Sequence, residues 1–493
     1  MPAYEELGEA ERRLWEAFPR GEELDLRGAA DTVVRAEVVA ALLLGGGPAA
    51  VRGRVGGLRL VGATVAGQLD LTGAAVELPV QLRGCTFEQQ VLLRGATMRS
   101  ASFLDCRLPG LDGWLLRVDG NLFFEDSVIE GRLTLTRAHV TGELRLSGVR
   151  LTASELLEPA ESGEPGAPSA APAWSLWAGG LVMEGGCFAR KGFRSRGGLR
   201  LVGANFGGGL FMEGAEIDNP GGEAFSGDDL TASTMILTEG FTARGVLKLP
   251  GATVRSRLSL DGARLHGDGT TALDATRLTA GDLHLTPAAA PEGTVDLSAA
   301  QVAVLHDNAH ARSADARLDG LGYTSLQGAT GLADRLAWLE HTPGYTPQPY
   351  EQLAAWYRRI GHDDDARRVL LAKQRRRRRT LGPLGRTWGR LLDATVGYGY
   401  RPWQAAVWLA ALIAAGTAAF RHGSPTPVQA GQGAPFNALI YTIDLLVPIG
   451  GFGQRTAWYW TGLHQWLGYA LIAAGWLLTT ATLAGVTRSL NRS

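Results

Sequence analysis

Between Leu58 and Leu151 the same kinds of residue return every eleven positions, in the order L-x-L-x-G-A-x-V-x-G-x. Leu58, Leu60, Gly62, Ala63 and Val65 are followed by Leu69, Leu71, Gly73, Ala74 and Val76. Val80, Leu82, Gly84, Cys85 and Phe87 come next, and then Val91, Leu93, Gly95, Ala96 and Met98. The register slips near Asp105 and Pro109 and resumes with Leu122, Leu133 and Leu144. After an interruption the frame returns at Leu199, Leu210, Leu247 and Leu258, with weaker copies as far as Val302.

Such a pattern leaves few folds open. In L-x-L the two leucines face one side of a short strand and the middle residue faces the other. No single unit can bury its apolar side, but stacked copies bury one another. The Gly-Ala pair and the later glycine suit corners, where the backbone turns sharply and a larger side chain would meet the next coil. One eleven-residue unit is too tight a circuit to enclose leucines, so two units per coil, about 22 residues, are expected. The expected fold is mainly β with α: a right-handed parallel β-helix with an N-terminal helical cap, a C-terminal helical hairpin and two transmembrane helices. A sandwich of short strands is the competing architecture, and it does not hold a fixed frame over such a length. Glycine reaches 67 of 493 residues without a three-residue period, which excludes collagen.

The chain divides by pattern. Residues 1–50 read as the helical cap, with Leu14, Trp15 and Phe18 on one face of a first helix and Asp31 capping a second that runs to Gly45. Residues 51–305 read as the solenoid, interrupted at 152–178 by a stretch rich in Glu, Ala, Pro and Ser that is expected to be a disordered insertion. From 306 to 382 the period changes to that of helices, in a neck where Leu332, Leu336 and Leu339 share a face and Leu353, Tyr357 and Ile360 form the next stripe. Residues 383–493 read as a two-span membrane domain.

Charge is distributed unevenly. Residues 1–365 carry 33 basic and 47 acidic side chains, 366–400 carry 10 basic and the single acid Asp393, and 401–493 carry 5 basic and the single acid Asp444. Trp403 to Phe420 and Trp466 to Val486 are uncharged and apolar, 18 and 21 residues long, lengths that suit a hydrocarbon core of about 30 Å. Just before the first stand Lys373 and the run Arg375, Arg376, Arg377, Arg378 and Arg379, which beside a span reads as a membrane-surface signal and not as a nucleic-acid patch. The expected location is therefore the plasma membrane, multi-pass, with both termini cytoplasmic; no secretory signal is recognisable in the first thirty residues. Between the spans, Phe436 to Gly453 is apolar and ends in Val447-Pro448-Ile449-Gly450-Gly451-Phe452-Gly453. A re-entrant loop containing Asp444, Pro448, Gly450, Gly451 and Gly453 would give the layout of a potassium-channel pore domain, although the filter sequence is not matched.

Catalytic chemistry leaves no signature. Cys85, Cys106 and Cys187 form an odd set without metal-ligand spacing, and the nine histidines cluster only around His306, Asp307, Asn308 and His310. There is no dinucleotide fingerprint, nucleophile elbow, P-loop or zincin motif, so neither catalytic residues, a cofactor nor a metal are assigned.

Val34-Arg35-Ala36-Glu37-Val38 leading into Leu42-Leu43-Leu44-Gly45, the repeat, Pro349-Tyr350-Glu351-Gln352-Leu353 with Gly361-His362-Asp363, and the closing apolar segments together resemble a family of actinobacterial membrane proteins. That family is similar to pentapeptide-repeat proteins, and its members are often labelled membrane-associated oxidoreductases. The resemblance covers nearly the whole chain; it implies a solenoid joined to membrane spans and, through the label, a redox activity, but it transfers no catalytic residue. The residues themselves point to a membrane-anchored, non-enzymatic scaffold with the lipid bilayer and an unknown protein as partners. An oxidoreductase and a two-span channel are the alternatives.

Overall fold

The computed structural model describes residues 4–48, 51, 53–152, 174–328, 331–382, 402–429, 435–447 and 451–490. The chain forms two units, Met1–Gln352 and Leu353–Ser493.

The first unit is a β-solenoid of about 11 turns. One coil shows its construction: Val80–Arg83, Thr86–Phe87, Val91–Leu92 and Thr97–Met98 form four short sides before Ala101–Leu104 opens the next coil. Every ladder pairing is parallel, and the sides fall into a 20-stranded and a 17-stranded sheet. Leu58 pairs with Val80, 22 positions on, as two eleven-residue units per coil require. Val80 then pairs with Ala101, and Ala101 with Leu122, each 21 positions on. The slip near Asp105 is thus the loss of two residues from the frame, one from each of two successive coils on this side, and the ladder continues through it.

Inward positions follow the repeat. Leu82, Cys85, Phe87, Val91, Leu93, Ala96 and Met98 are all buried. Stacking places like on like, so that the rings of Phe103 and Phe124 lie 5.3 Å apart and nearly parallel. In another inward column Cys85 and Cys106 donate to the carbonyls of Leu60 and Leu82 at 3.5 Å, and Ser127 donates to Phe103 at 2.8 Å. Small polar residues are tolerated there because the preceding coil accepts their hydrogen.

The solenoid is longer at both ends than 51–305. Leu24–Asp25 and Val33–Arg35 pair with Leu60–Val61 and Thr64–Ala66, so part of the N-terminal cap is itself a coil. The pairing continues to Gly322–Gln327, inside the stretch expected to be helical neck. Trp174–Trp177 pairs with 133–134 and belongs to a coil, although it lies within the expected insertion; residues 153–173 are outside the described residues.

Covers close the open edges. At the start, Glu9–Ala17 and Ala36–Leu43 are helical. Asp31 does not cap the second helix, whose N-cap is Arg35; it accepts from the Ala10 amide at 3.2 Å, in the first turn of the first helix. Buried Glu11 accepts from the Arg35 backbone at 2.9 Å and from its guanidinium at 2.8 Å, tying the helix to the first coil. At the other end the Gln348 side chain accepts from the Gly320 amide at 3.0 Å and donates to Leu321 at 2.9 Å, while Gln352 donates to Tyr323 at 2.7 Å. These two glutamines supply the partners that a further strand would have supplied. In Leu332–His341 the buried side chains are Arg335, Trp338 and Leu339, which differs from the expected Leu332–Leu336–Leu339 face. The helix is turned so that Arg335 reaches the field of the buried Asp307 carboxylate.

The second unit is helical. Asp363–Arg379 buries Ala366, Val369, Leu370 and Leu371 and carries its acids in the first turn and its arginines in the last, as the helix dipole favours. The two apolar stretches form Pro402–Arg421 and Leu463–Leu490. Among the described residues, however, no helix is long and apolar enough to cross a membrane, which overturns the two transmembrane helices. Much of the apolar character of the first comes from alanine, whose single methyl group brings little hydrocarbon. These helices pack with a third, Ala438–Leu446, around Phe420, Tyr441, Leu445, Leu446, Trp460 and Leu471. The approach is close, since a Cβ added at Gly475 would stand 2.2 Å from the Leu446 carbonyl oxygen.

Candidate interaction surface

The four-sided coil sorts the outward residues into columns. On the side that starts with Val80, the middle residue of each L-x-L unit stacks on its counterpart one coil away. That column runs Ser102, Phe123, Arg145, Phe188, Phe211, Ile236, Ser259, His284, His306 and Gln327. Its central part is aromatic and aliphatic, and Phe123, Phe188, Phe211 and Ile236 remain partly exposed. The rings of Phe188 and Phe211 stack 5.1 Å apart, with Gly186 and Gly209 beneath them. The arrangement needs those glycines, because a Cβ at Gly186 would stand 2.7 Å from the Phe188 ring.

Charge frames the stripe. Arg190 lies 4.8 Å from both ring centroids and donates to Glu213 at 2.6 Å. Arg145 lies 4.9 Å from the Phe123 ring and pairs with Glu143 at 2.8 Å. On the side that starts with Val91 the equivalent column runs Leu92, Asp112, Thr134, Trp177, Arg200, Ser226, Lys248, Asp274, Asp296 and Arg317. It is mainly charged, and ion pairs such as Arg94–Asp112 at 2.5 Å and Lys248–Glu223 at 2.9 Å occupy it. One side of the solenoid thus offers hydrocarbon and rings, and another offers paired charges. The eleven-residue frame merges the two sides and hides this difference; sorting alternate units separately would have revealed it.

The histidine group does not form a site. His306, Asp307 and Asn308 alternate along and beyond the strand Gln301–Asp307, and each meets a different environment. His306 faces outward against His284, ring centroids 4.0 Å apart. Asp307 takes an inward position that holds Leu285 one coil earlier, and pairs there with buried Arg312 at 3.0 Å. Burial pushes its carboxyl above the usual range against the pull of Arg312 and Arg335. Asn308 caps the short helix Ala309–Ser313 by accepting from Ala311 at 2.9 Å. Among the described residues no group of three or more His, Cys, Asp or Glu is placed to hold a metal ion.

A small void between coils is lined by Leu146, Leu176, Phe193, Phe206, Leu210 and Met212 among others, apolar side chains that include the sulfur-bearing Met212 and Cys187. It lacks the polar groups that orient a substrate.

In the helical unit, Lys373 and Arg375, Arg376, Arg377, Arg378 and Arg379 occupy the C-terminal half of Asp363–Arg379. Asp444 is buried, and its carboxylate accepts from the amides of Phe452 at 2.9 Å and Arg455 at 2.7 Å. It folds the loop back onto its own helix, beside Gly451 and Gly453, which the expected re-entrant loop also included. Pro448 and Gly450 lie outside the described residues.

No family model, curated protein or solved structure matches the chain.

Proposed function

We propose that this protein is a non-enzymatic docking scaffold whose solenoid presents the Phe123–Ile236 stripe to a partner protein. The observation that carries this reading is the stripe itself: Phe188, Phe211 and Ile236 at consecutive outward positions, with Phe123 beyond Arg145 in the same column, bordered by Arg–Glu pairs. Such a surface combines desolvated aromatic anchors with a polar rim, the anatomy of an interaction surface. Rigidity supports it as well, because backbone held by ladders on both sides loses little freedom on binding.

The test is affinity purification of the tagged full chain after chemical crosslinking, with Phe188→Ser/Phe211→Ser compared with Lys248→Ser on the charged side. A defined partner should be recovered with the wild type and Lys248→Ser and be reduced at least about tenfold by the stripe variant, a loss of about 1.4 kcal/mol. Equal recovery by all three overturns the reading.

A second observation favours contact of the helical unit with an anionic lipid surface, without a span. Val407, Trp408, Trp466, Tyr469, Trp476 and Leu477 are exposed, and the same unit carries the arginine run. Aromatic side chains at headgroup level together with a basic segment are the ingredients of interfacial attachment. The full chain should float with vesicles containing anionic lipid and not with zwitterionic ones, and replacing Arg375 to Arg379 by glutamine should abolish flotation. Binding indifferent to lipid charge contradicts this second reading.

A further inference from the structure

We propose that the stacked His284–His306 pair is a proton-operated latch on the C-terminal coils of the solenoid, closed while the His306 imidazole is neutral and opened when it takes up a proton.

The strands Thr279–Leu285, Gln301–Asp307 and Gly322–Gln327 are the last three of their track, and His284, His306 and Gln327 are in register across them. The two imidazoles lie face to face, 4.0 Å between centroids and tilted by 34°. Rings so placed do not converge their lone pairs on a shared metal ion, because each lone pair lies within its own ring plane. What the stack does is exclude water between two titratable groups.

His284 is held from one side only. Its Nδ1 stands 3.2 Å from the Asp261 carboxylate, which also accepts from Ser259 at 2.7 Å and from Thr286. Nε2 is buried and has no hydrogen-bond partner. A proton taken up by His306 sets a cation against the face of the His284 ring, 4.0 Å away between centroids.

The charged groups facing the pair are Asp261, Asp282 and Arg257, and Arg257 pairs with Asp282 at 3.7 Å. Burial first, and then His284, hold His306 below the usual histidine range; Asp282 and Asp261 oppose that shift and Arg257 adds to it. The sign follows. The open state takes up its proton at the ordinary histidine pKa of about 6.5, before the closed state does, so closure is fully favoured above that pH and weakens as the pH falls through the lowered value. Opening separates the outermost strands, at the end that Gln348 and Gln352 cover.

Hydrogen exchange of the full chain at pH 7.5 and pH 5.5, corrected for the intrinsic rate, reads the latch directly. Protection of amides in 301–307 and 322–327 should fall at least about threefold at the lower pH, while 80–104 stays unchanged. His306→Phe keeps a ring for stacking but cannot take a proton, and it should retain protection at both pH values. If that variant loses protection already at pH 7.5, His306→Gln is read in its place for the absence of pH dependence. Unchanged wild-type protection, or an equal acid loss in a folded variant, overturns the proposal.

Discussion

At the scale of single residues, position in the coil decides what a substitution costs. Gly95 turns a corner at φ 62 with nothing within 4 Å of an added Cβ, so Gly95→Ala meets only the left-handed backbone penalty, about 1–2 kcal/mol. Gly131 is different, because its Cβ would stand 2.2 Å from the Pro109 carbonyl oxygen of the preceding coil. Gly131→Ala should cost about 3 kcal/mol or more, and denaturant midpoints of the two variants will order them. The glycine frame faded in the sequence where Asp105, Leu115, Asp126 and Arg137 occupy the same left-handed corner, at φ between 52 and 57. Corner geometry survives the loss of its signature residue, and for that reason the shortened coils looked like a break. Thiol chemistry belongs at this scale too. Cys85, Cys106 and Cys187 are buried, and burial pushes the Cys187 thiol up to about 12. All three should be inert to a thiol reagent at pH 8 in the native protein and react once it is denatured; rapid native labelling would contradict their inward placement.

At the scale of elements, the covers of the solenoid do what strands do elsewhere. Burial opposes ionisation of Glu11, but the hydrogen bonds from Arg35 and from the Gly8 amide outweigh it and hold the carboxyl below its usual range. The tie therefore contributes stability above the unfolded carboxylate pKa of about 4.3 and loses it as the pH falls through the lowered folded value. Glu11→Gln should be less stable than wild type at pH 7 and approach it in acid, a convergence that melting curves at several pH values will show. At the opposite end Gln348→Ala/Gln352→Ala removes the three hydrogen bonds to the last coil. At about 1 kcal/mol each, exchange at 320–327 should accelerate by more than tenfold while the coils near Leu58 are unaffected. The helical character of 331–379 was visible from its changed period, and Leu353 and Tyr357 of the second stripe are buried while Ile360 is exposed; the buried face of Leu332–His341 was not legible. Arg335 and Gln348 are chosen by what the last coil leaves unsatisfied, which is a tertiary demand that no local periodicity records.

At the scale of the molecule, the repeat announced a stacked ladder because constant spacing and alternation are local properties that survive into the fold. Coil length was legible for the same reason. The two expected membrane spans are not supported: among the described residues no helix is long and apolar enough to cross a membrane, and these helices pack on Phe420, Tyr441 and Trp460. The Phe123–Ile236 stripe was illegible until the coil showed which outward residues share a side. Its central claim is tested most directly by a photo-crosslinking residue placed at Ile236 on the stripe and, separately, at Asp274 on the charged side, followed by irradiation in the producing cell. A discrete adduct from position 236 and none from 274 is the predicted result; equal adducts from both positions, or none from 236, would contradict a partner seated on the stripe.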